Sequence, residues 1–165
     1  MQPGCDDKRI PMRKTLLATT CVAALLPATV QAETTISTAI TTPVRTSTVK
    51  SGTPDNIKIT TAGSVKPASG TAVTIDSNHS IINEGAIEIR NADGARGIVA
   101  NAGTAGSITN AATGKIVIDE SYAPTDIDND GDLDGPFAIG SNRVGIATSG
   151  AFTGNILNSG TITIK

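Results

Sequence analysis

Gly97–Ile118 reads GIVANAGTAGSITNAATGKIVI, and Gly145–Ile164 reads GIATSGAFTGNILNSGTITI. Laid over one another, they share Gly97, Ile98, Gly106, Ile108 and Asn110, which return 48 residues later as Gly145, Ile146, Gly154, Ile156 and Asn158. A third copy, GTAVTIDSNHSIINEGAIEI, occupies Gly70–Ile89. In every copy a glycine stands thirteen residues before an asparagine, an isoleucine stands two before it, and a Gly-x-Ile-x-Ile run follows. Recurrence at fixed offsets is the mark of a repeat architecture, in which each unit rebuilds the same local structure.

Within the units, AIEI, KIVI and TITI alternate apolar and polar residues, so their isoleucines line one face of a strand. Asn-x-Gly and similar pairs between them suit turns that need positive φ. An antiparallel sandwich would also show short strands and turns, but it gives no reason for the same residues to recur at the same offsets. The expected fold is all-β: a right-handed parallel β-helix, or β-solenoid, with rungs of about 20–22 residues. Stacking sets Ile81, Ile87 and Ile89 against Ile108, Ile116 and Ile118, and these against Ile156, Ile162 and Ile164. At a strand spacing of about 4.8 Å, slim β-branched side chains repeat on themselves better than rings do. Asn83, Asn110 and Asn158 share one column, as an amide ladder bonded from rung to rung or as ordinary turn residues. The repeats fill residues 67–165, and residues 33–66 are expected to form an N-terminal cap or a first irregular rung.

Composition agrees. The chain has 165 residues, enough for one domain, with two Phe, one Tyr and no Trp. A core built on rings is excluded. Charged residues make up 17%, and the abundance of Ile and Val argues against plain disorder.

The first 32 residues have another character. Met12 is followed by Arg13 and Lys14, an apolar run from Leu16 to Leu26, and the small-residue ending Val30-Gln31-Ala32. Those are the three parts of a cleavable secretory signal peptide, with cleavage expected after Ala32 and Met12 as the real start. The run is too short to span a bilayer, so the mature chain is expected to have no membrane-spanning segment. Cys5 and Cys21 both fall in this segment, which leaves the exported part without thiols or disulfides.

INEGAIEI, Ile82–Ile89, and LNSGTITI, Leu157–Ile164, behind a signal peptide resemble the passenger region of type V autotransporters of Gram-negative bacteria. The resemblance covers residues 33–165 and is one of cadence. It implies an exported, cell-surface β-helix, structural or adhesive, that passes through the periplasm and outer membrane and binds a host or neighbouring-cell glycan or protein. The family's C-terminal translocator barrel and further passenger rungs are missing, and no polar cap follows Ile164. The resemblance therefore implies the N-terminal piece of a longer passenger, a truncated product, or a chain that docks on another.

Between the second and third copies lies an insertion, residues 119–142, that contains TDIDNDGDLDG, Thr125–Gly135. Five aspartates at alternate positions repel one another unless a cation or bulk water sits among them. Calcium takes six to eight oxygen ligands, and alternating aspartates around a glycine supply them. Asp126, Asp128 and Asp130 match the first, third and fifth positions of an EF-hand-like loop, with Gly131 at the sixth. Asp132 offers its carbonyl, and Asp134 the ninth ligand. Phe137 stands where a bidentate Glu belongs, so the expectation is a shorter calcium loop and not an EF-hand. Residues 33–165 carry nine Lys or Arg and thirteen Asp or Glu; without the seven acids of the insertion the balance is +3. That mild excess, with so few aromatics, does not suggest a nucleic-acid partner.

Catalysis is the alternative: a β-helical polysaccharide lyase or hydrolase that uses the aspartate loop for a metal. Against it, His79 is the only histidine, there is no cysteine after Cys21, and adjacent Asp119 and Glu120 face opposite sides of a strand. The reading adopted is a non-enzyme with no catalytic residues.

Overall fold

The Ile-x-Ile runs are strands, and their isoleucines stand in the expected columns. The computed structural model describes residues 33–165; the expected signal peptide, residues 1–32, and both cysteines lie outside the described residues. Among the described residues there are sixteen strands and no helix. Among these described residues no helix is long and apolar enough to cross a membrane.

Three sheets take most of the strands. The first, in order, holds β1 (Glu33–Ile36), β4 (Asn56–Ile59), β7 (Ile81–Asn83), β11 (Ile108–Asn110) and β15 (Ile156–Asn158). The second holds β2 (Ala39–Ile40), β5 (Ser64–Val65), β8 (Ala86–Arg90), β12 (Lys115–Asp119) and β16 (Thr161–Ile164). The third holds β3 (Val44–Arg45), β6 (Thr71–Ile75), β9 (Arg96–Ala100) and β13 (Val144–Thr148). β10 (Thr104–Ala105) and β14 (Phe152–Thr153) make a small extra pair. Every pairing between these strands is parallel. The chain visits the sheets in turn and returns to each with its next strand one place further along. This is an all-β arrangement of parallel strands in stacked sheets.

Two expectations change. Residues 33–66 are neither a cap nor one irregular rung, because β1 to β5 already pair within the same three sheets. The circuits are also longer than 20–22 residues: Ile57 pairs with Ile81 and Asn83 lies beneath Asn110, 24 and 27 positions on. The recurring stretch Gly70–Ile89 counts only part of a circuit. The link that carries the chain from the second sheet back to the third, Asn91–Ala95, repeats no sequence and so escapes the count.

The core is the inner column of β-branched side chains. Ile57, Ile81 and Ile108 stack in the first sheet, and Val65, Ile87 and Ile116 in the second, all fully buried. Val73 and Ile98 do the same in the third. Burying each such side chain is worth about 1.5–3 kcal/mol. At the last circuit the columns continue as Ile156, Ile162 and Ile164, which are partly exposed.

The asparagines form a ladder. Asn83 Nδ2 donates to Asn110 Oδ1 at 2.8 Å, and Asn110 Nδ2 donates to Asn158 Oδ1 at 2.7 Å. The second proton of each amide is directed at a corner carbonyl, Lys115 or Thr161, at 3.3 Å. Asn83 and Asn110 are wholly buried. The ladder ends below Asn83, whose Oδ1 has no partner among the described residues, because its register neighbour is Ile59. Beside the ladder the chain turns through Gly114, where any Cβ would run into the Asn83 carbonyl oxygen and the Asn110 amide.

Asn110→Ala removes the middle of the ladder and strips a buried donor on Asn83 of its better acceptor. We expect a loss of about 1–3 kcal/mol in urea denaturation, and a smaller loss for Asn158→Ala, whose side chain is exposed. Equal losses at the two positions would contradict the ladder as a source of stability.

Candidate metal site and the latch that holds it

The insertion leaves the stack after Asp119 at the end of β12 and rejoins it at Val144, the start of β13. Glu120, the first residue outside the strand, turns inward and is 3% exposed. Its Oε1 accepts the Ile139 N–H at 3.1 Å, and its Oε2 accepts the Gly140 N–H at 2.9 Å and the Arg143 Nη2 at 2.8 Å. Arg143 is equally buried and donates through Nε to the Ala92 carbonyl at 3.1 Å. One carboxylate therefore holds the returning chain, and its guanidinium partner holds the link after β8. That link adds its own bonds: Asp93 Oδ1 accepts the Ser141 N–H at 2.6 Å, and Asn91 Oδ1 accepts both the N–H and the hydroxyl of Ser121. A Cβ at Gly140 would run into the Arg143 guanidinium and displace it from its place beside Glu120.

A buried ion pair holds only when each partner's remaining polar atoms are satisfied, because desolvation offsets the attraction. Here the backbone supplies that satisfaction. The Gly140 N–H above all holds the Glu120 carboxyl below its ordinary value, against the burial that pushes it up, with Arg143 and the Ile139 N–H adding to the effect. Asp119, one residue earlier, faces the other way and pairs with Arg90 at 3.4 Å.

Held at both ends, the insertion presents the aspartate loop. Asp126, Asp128 and Asp130 each place a carboxylate oxygen within 4.8 Å of the others. Oxygens on opposite sides of a calcium ion lie about 5 Å apart, twice the usual bond length, so this spacing fits. Asp128 Oδ1 accepts the Asp130 N–H at 3.3 Å, and Asp126 Oδ2 accepts the Gly131 N–H at 3.1 Å. These bonds fold the chain around its own carboxylates. Gly131 has φ 101°, a left-handed conformation in which a side chain is strained. The other oxygen of Asp126, Oδ1, is buried and has no hydrogen-bond partner among the described residues. A buried acceptor without a donor is costly, and a hard cation would satisfy it.

The remaining two aspartates are not brought into that cluster. Asp134 closes the loop instead: its Oδ2 accepts the Ile127 N–H at 2.6 Å, and its own N–H donates to the Thr125 carbonyl at 3.1 Å. Asp132 is exposed, and its N–H donates to Asp130 Oδ1 at 3.2 Å.

His79 stands away from the loop, with Nδ1 3.1 Å from Ser77 Oγ. That serine also donates to Thr46 Oγ1 at 2.8 Å, and the nearby Asp76 binds Arg45, Thr46 and Ser47 and not the imidazole. A nucleophile–base pair needs a third group to orient the base. Asp76 serves the corner: burial acts to raise its pKa, but the Arg45 and Ser47 bonds outweigh it and hold the carboxyl low.

Glu120→Gln should destabilise the protein at neutral pH and free the insertion, read as faster hydrogen exchange at the Ile139 and Gly140 amides. The sign with pH follows from the lowered carboxyl. The stability it adds is complete above the ordinary glutamate pKa, about 4.3, and is lost as the pH falls through the lower folded-state value. The gap between native and Glu120→Gln melting curves should therefore close on acidification; a gap that widens would refute the latch. Set against protein-family models, curated proteins and solved structures, the chain finds no match in any of the three.

Proposed function

We propose that this chain is an exported surface module, structural and adhesive, built as a right-handed parallel β-helix that displays one calcium-ordered insertion. Right-handedness follows from the rule that crossover connections between parallel strands turn that way in about 98% of cases. The observation that carries the reading is the latch. The Glu120–Arg143 ion pair, with both side chains buried, holds the two ends of an acidic loop against the stack. Such effort at a loop's base fits a loop whose placement matters, and insertions on repeat scaffolds commonly lie on the binding face.

The type V autotransporter passenger remains the family this cadence resembles. It supplies the expected setting: export by the N-terminal segment, display at the cell surface, and a glycan or protein on another cell as partner. In that setting Asp126, Asp128 and Asp130 are the calcium ligands proposed first, with Asp132 and Asp134 completing the loop. Carboxylate oxygens with no thiol or imidazole suit a hard cation, and the unsatisfied Asp126 Oδ1 supports the fit. The ion would neutralise the loop and stiffen it.

Thermal unfolding with calcium and with chelator tests the reading. With a dissociation constant of about 10⁻⁴ to 10⁻³ M, about 5 mM calcium should stabilise the protein by about 1–2 kcal/mol. The double variant Asp128→Asn, Asp130→Asn should lose that response. In chelator it should be no less stable than the native chain, because two repelling charges are gone. An unchanged calcium response in the variant would sink the assignment. Adhesion is checked separately, by counting beads coated with the chain that stay on cultured cells after washing.

A further inference from the structure

A cavity of about 370 Å³ opens beside the latch, where the link after β8 meets the two ends of the insertion. Its walls include Asn91, Asp93, Ser121, Tyr122, Ile139 and Gly140, with the Glu120–Arg143 pair behind them. The chain's only tyrosine is here. We propose that this cavity binds a single neutral pyranose unit of a glycan. The inference rests on the adhesive reading above and names the ligand class of that surface.

The polar groups left over point to hydroxyls. Asp93 uses Oδ1 on the Ser141 N–H, which leaves Oδ2 to accept from a ligand. Asn91 uses its Oδ1 on Ser121, which leaves its Nδ2 protons as donors. The Tyr122 hydroxyl makes no hydrogen bond among the described residues, its main-chain carbonyl alone being used, by the Lys165 ammonium at 3.0 Å. A carboxylate oxygen, an amide N–H₂ and a phenol together match the alternating donors and acceptors of neighbouring ring hydroxyls.

The apolar surface fits the other face of the same ligand. Tyr122 supplies a flat ring with a polar tip, a combination common at surfaces that are half wet. Ile139 is 69% exposed and shares the wall with a carboxylate. The C–H face of a pyranose can lie on such a surface while its hydroxyls turn to Asp93 and Asn91.

Charge selects against acidic sugars and phosphates. The Arg143 side chain is 4% exposed and is committed to Glu120 and to the Ala92 and Lys165 carbonyls, so it is not offered to an anion. With that pair neutral, Asp93 leaves the lining with a net charge of −1. The volume lies near the lower end of ligand pockets, about 300–1,000 Å³, which suits one ring and not an extended chain.

The test is a ¹⁵N NMR titration of the full chain with the methyl glycosides of glucose, galactose, mannose and N-acetylglucosamine, and with glucuronic acid as the anionic control. Each is raised to about 20 mM, since a millimolar dissociation constant corresponds to about −4 kcal/mol. At least one neutral glycoside should shift the Asn91, Ser121, Tyr122 and Gly140 amides saturably, and glucuronic acid should not. Tyr122→Ala and Asp93→Asn should each weaken that binding about tenfold, equal to 1.4 kcal/mol. Asp93→Asn keeps the oxygen that accepts the Ser141 N–H, so an unchanged spectrum elsewhere certifies its fold. No shift with any neutral glycoside, shifts that survive in both variants, or a stronger response to glucuronic acid would each overturn the proposal. Coated beads that adhere to cells although no glycoside binds would overturn the sugar pocket and leave the adhesive reading standing. Glycoside binding by a chain whose beads adhere to no cell would do the reverse.

Discussion

In-register stacking at the strand spacing is the constraint on which the rest of this structure depends. When each circuit lies about 4.8 Å above the last, a side chain's neighbours along the column are its own counterparts. Ile57, Ile81 and Ile108 show the result: three isoleucines in one file, all fully buried. Isoleucine suits the position because its χ1 is already stiff, so fixing it costs little further entropy. The same geometry makes asparagine useful in a buried column. Its amide donates in one direction and accepts in the other, so Asn83, Asn110 and Asn158 satisfy one another in sequence. A ladder of this kind has a polarity, and it must end somewhere. The orphaned Oδ1 of Asn83 above Ile59 is where it ends.

That constraint also decides what could be read without coordinates. The columns at Ile81, Ile108 and Ile156 were legible because stacking forces identical residues to identical offsets, and offsets survive insertions outside the strands. The first two circuits were not legible for the converse reason. Ile59 occupies the place where Asn83 begins the ladder, so the asparagine that marked the other copies is absent there. β4 and β5 nevertheless pair with β7 and β8 in register, because burial asks only for a slim apolar residue and not for a particular letter. Circuit length is hidden in the sequence on similar grounds. The links between second and third sheets obey no column and therefore repeat nothing.

The insertion divides in the same way. Its aspartates advertise themselves by local spacing, and Asp126, Asp128 and Asp130 do converge. The group that holds the insertion in place gave no such signal. Glu120 meets Ile139, Gly140 and Arg143 some twenty residues later, and Asp93 meets Ser141 across 48. Nothing local distinguishes a glutamate that will be buried against an arginine from one that will face water. Adjacent Asp119 and Glu120 were legible as facing opposite ways; which of them would be the inward one depended on Arg143, and so on the closed loop.

Columns of slim side chains also confine where ring chemistry can occur. A Tyr or Phe placed within the inner files would have to stack on isoleucine at a spacing set by the backbone, and overpacking of that kind costs about 1–3 kcal/mol. The chain's three aromatics are all outside those files. Phe152 lies in the small extra pair β10–β14, and Tyr122 and Phe137 lie in the insertion. Ile127, Leu133 and Ile139 of the insertion are more than half exposed, whereas Ile87 and Ile116 in the stack are fully buried. Inside the stack the apolar residues pack on one another, the last circuit alone exposing Ile156, Leu157, Ile162 and Ile164, whereas the insertion turns its own outward. Large apolar and aromatic side chains are the usual source of contact area in recognition. A scaffold that keeps rings out of its inner files places two of its three in the insertion, the one segment freed from its register, with Phe152 at the edge of the core, and the buried ion pair at Glu120 and Arg143 holds the base of that segment against the stack.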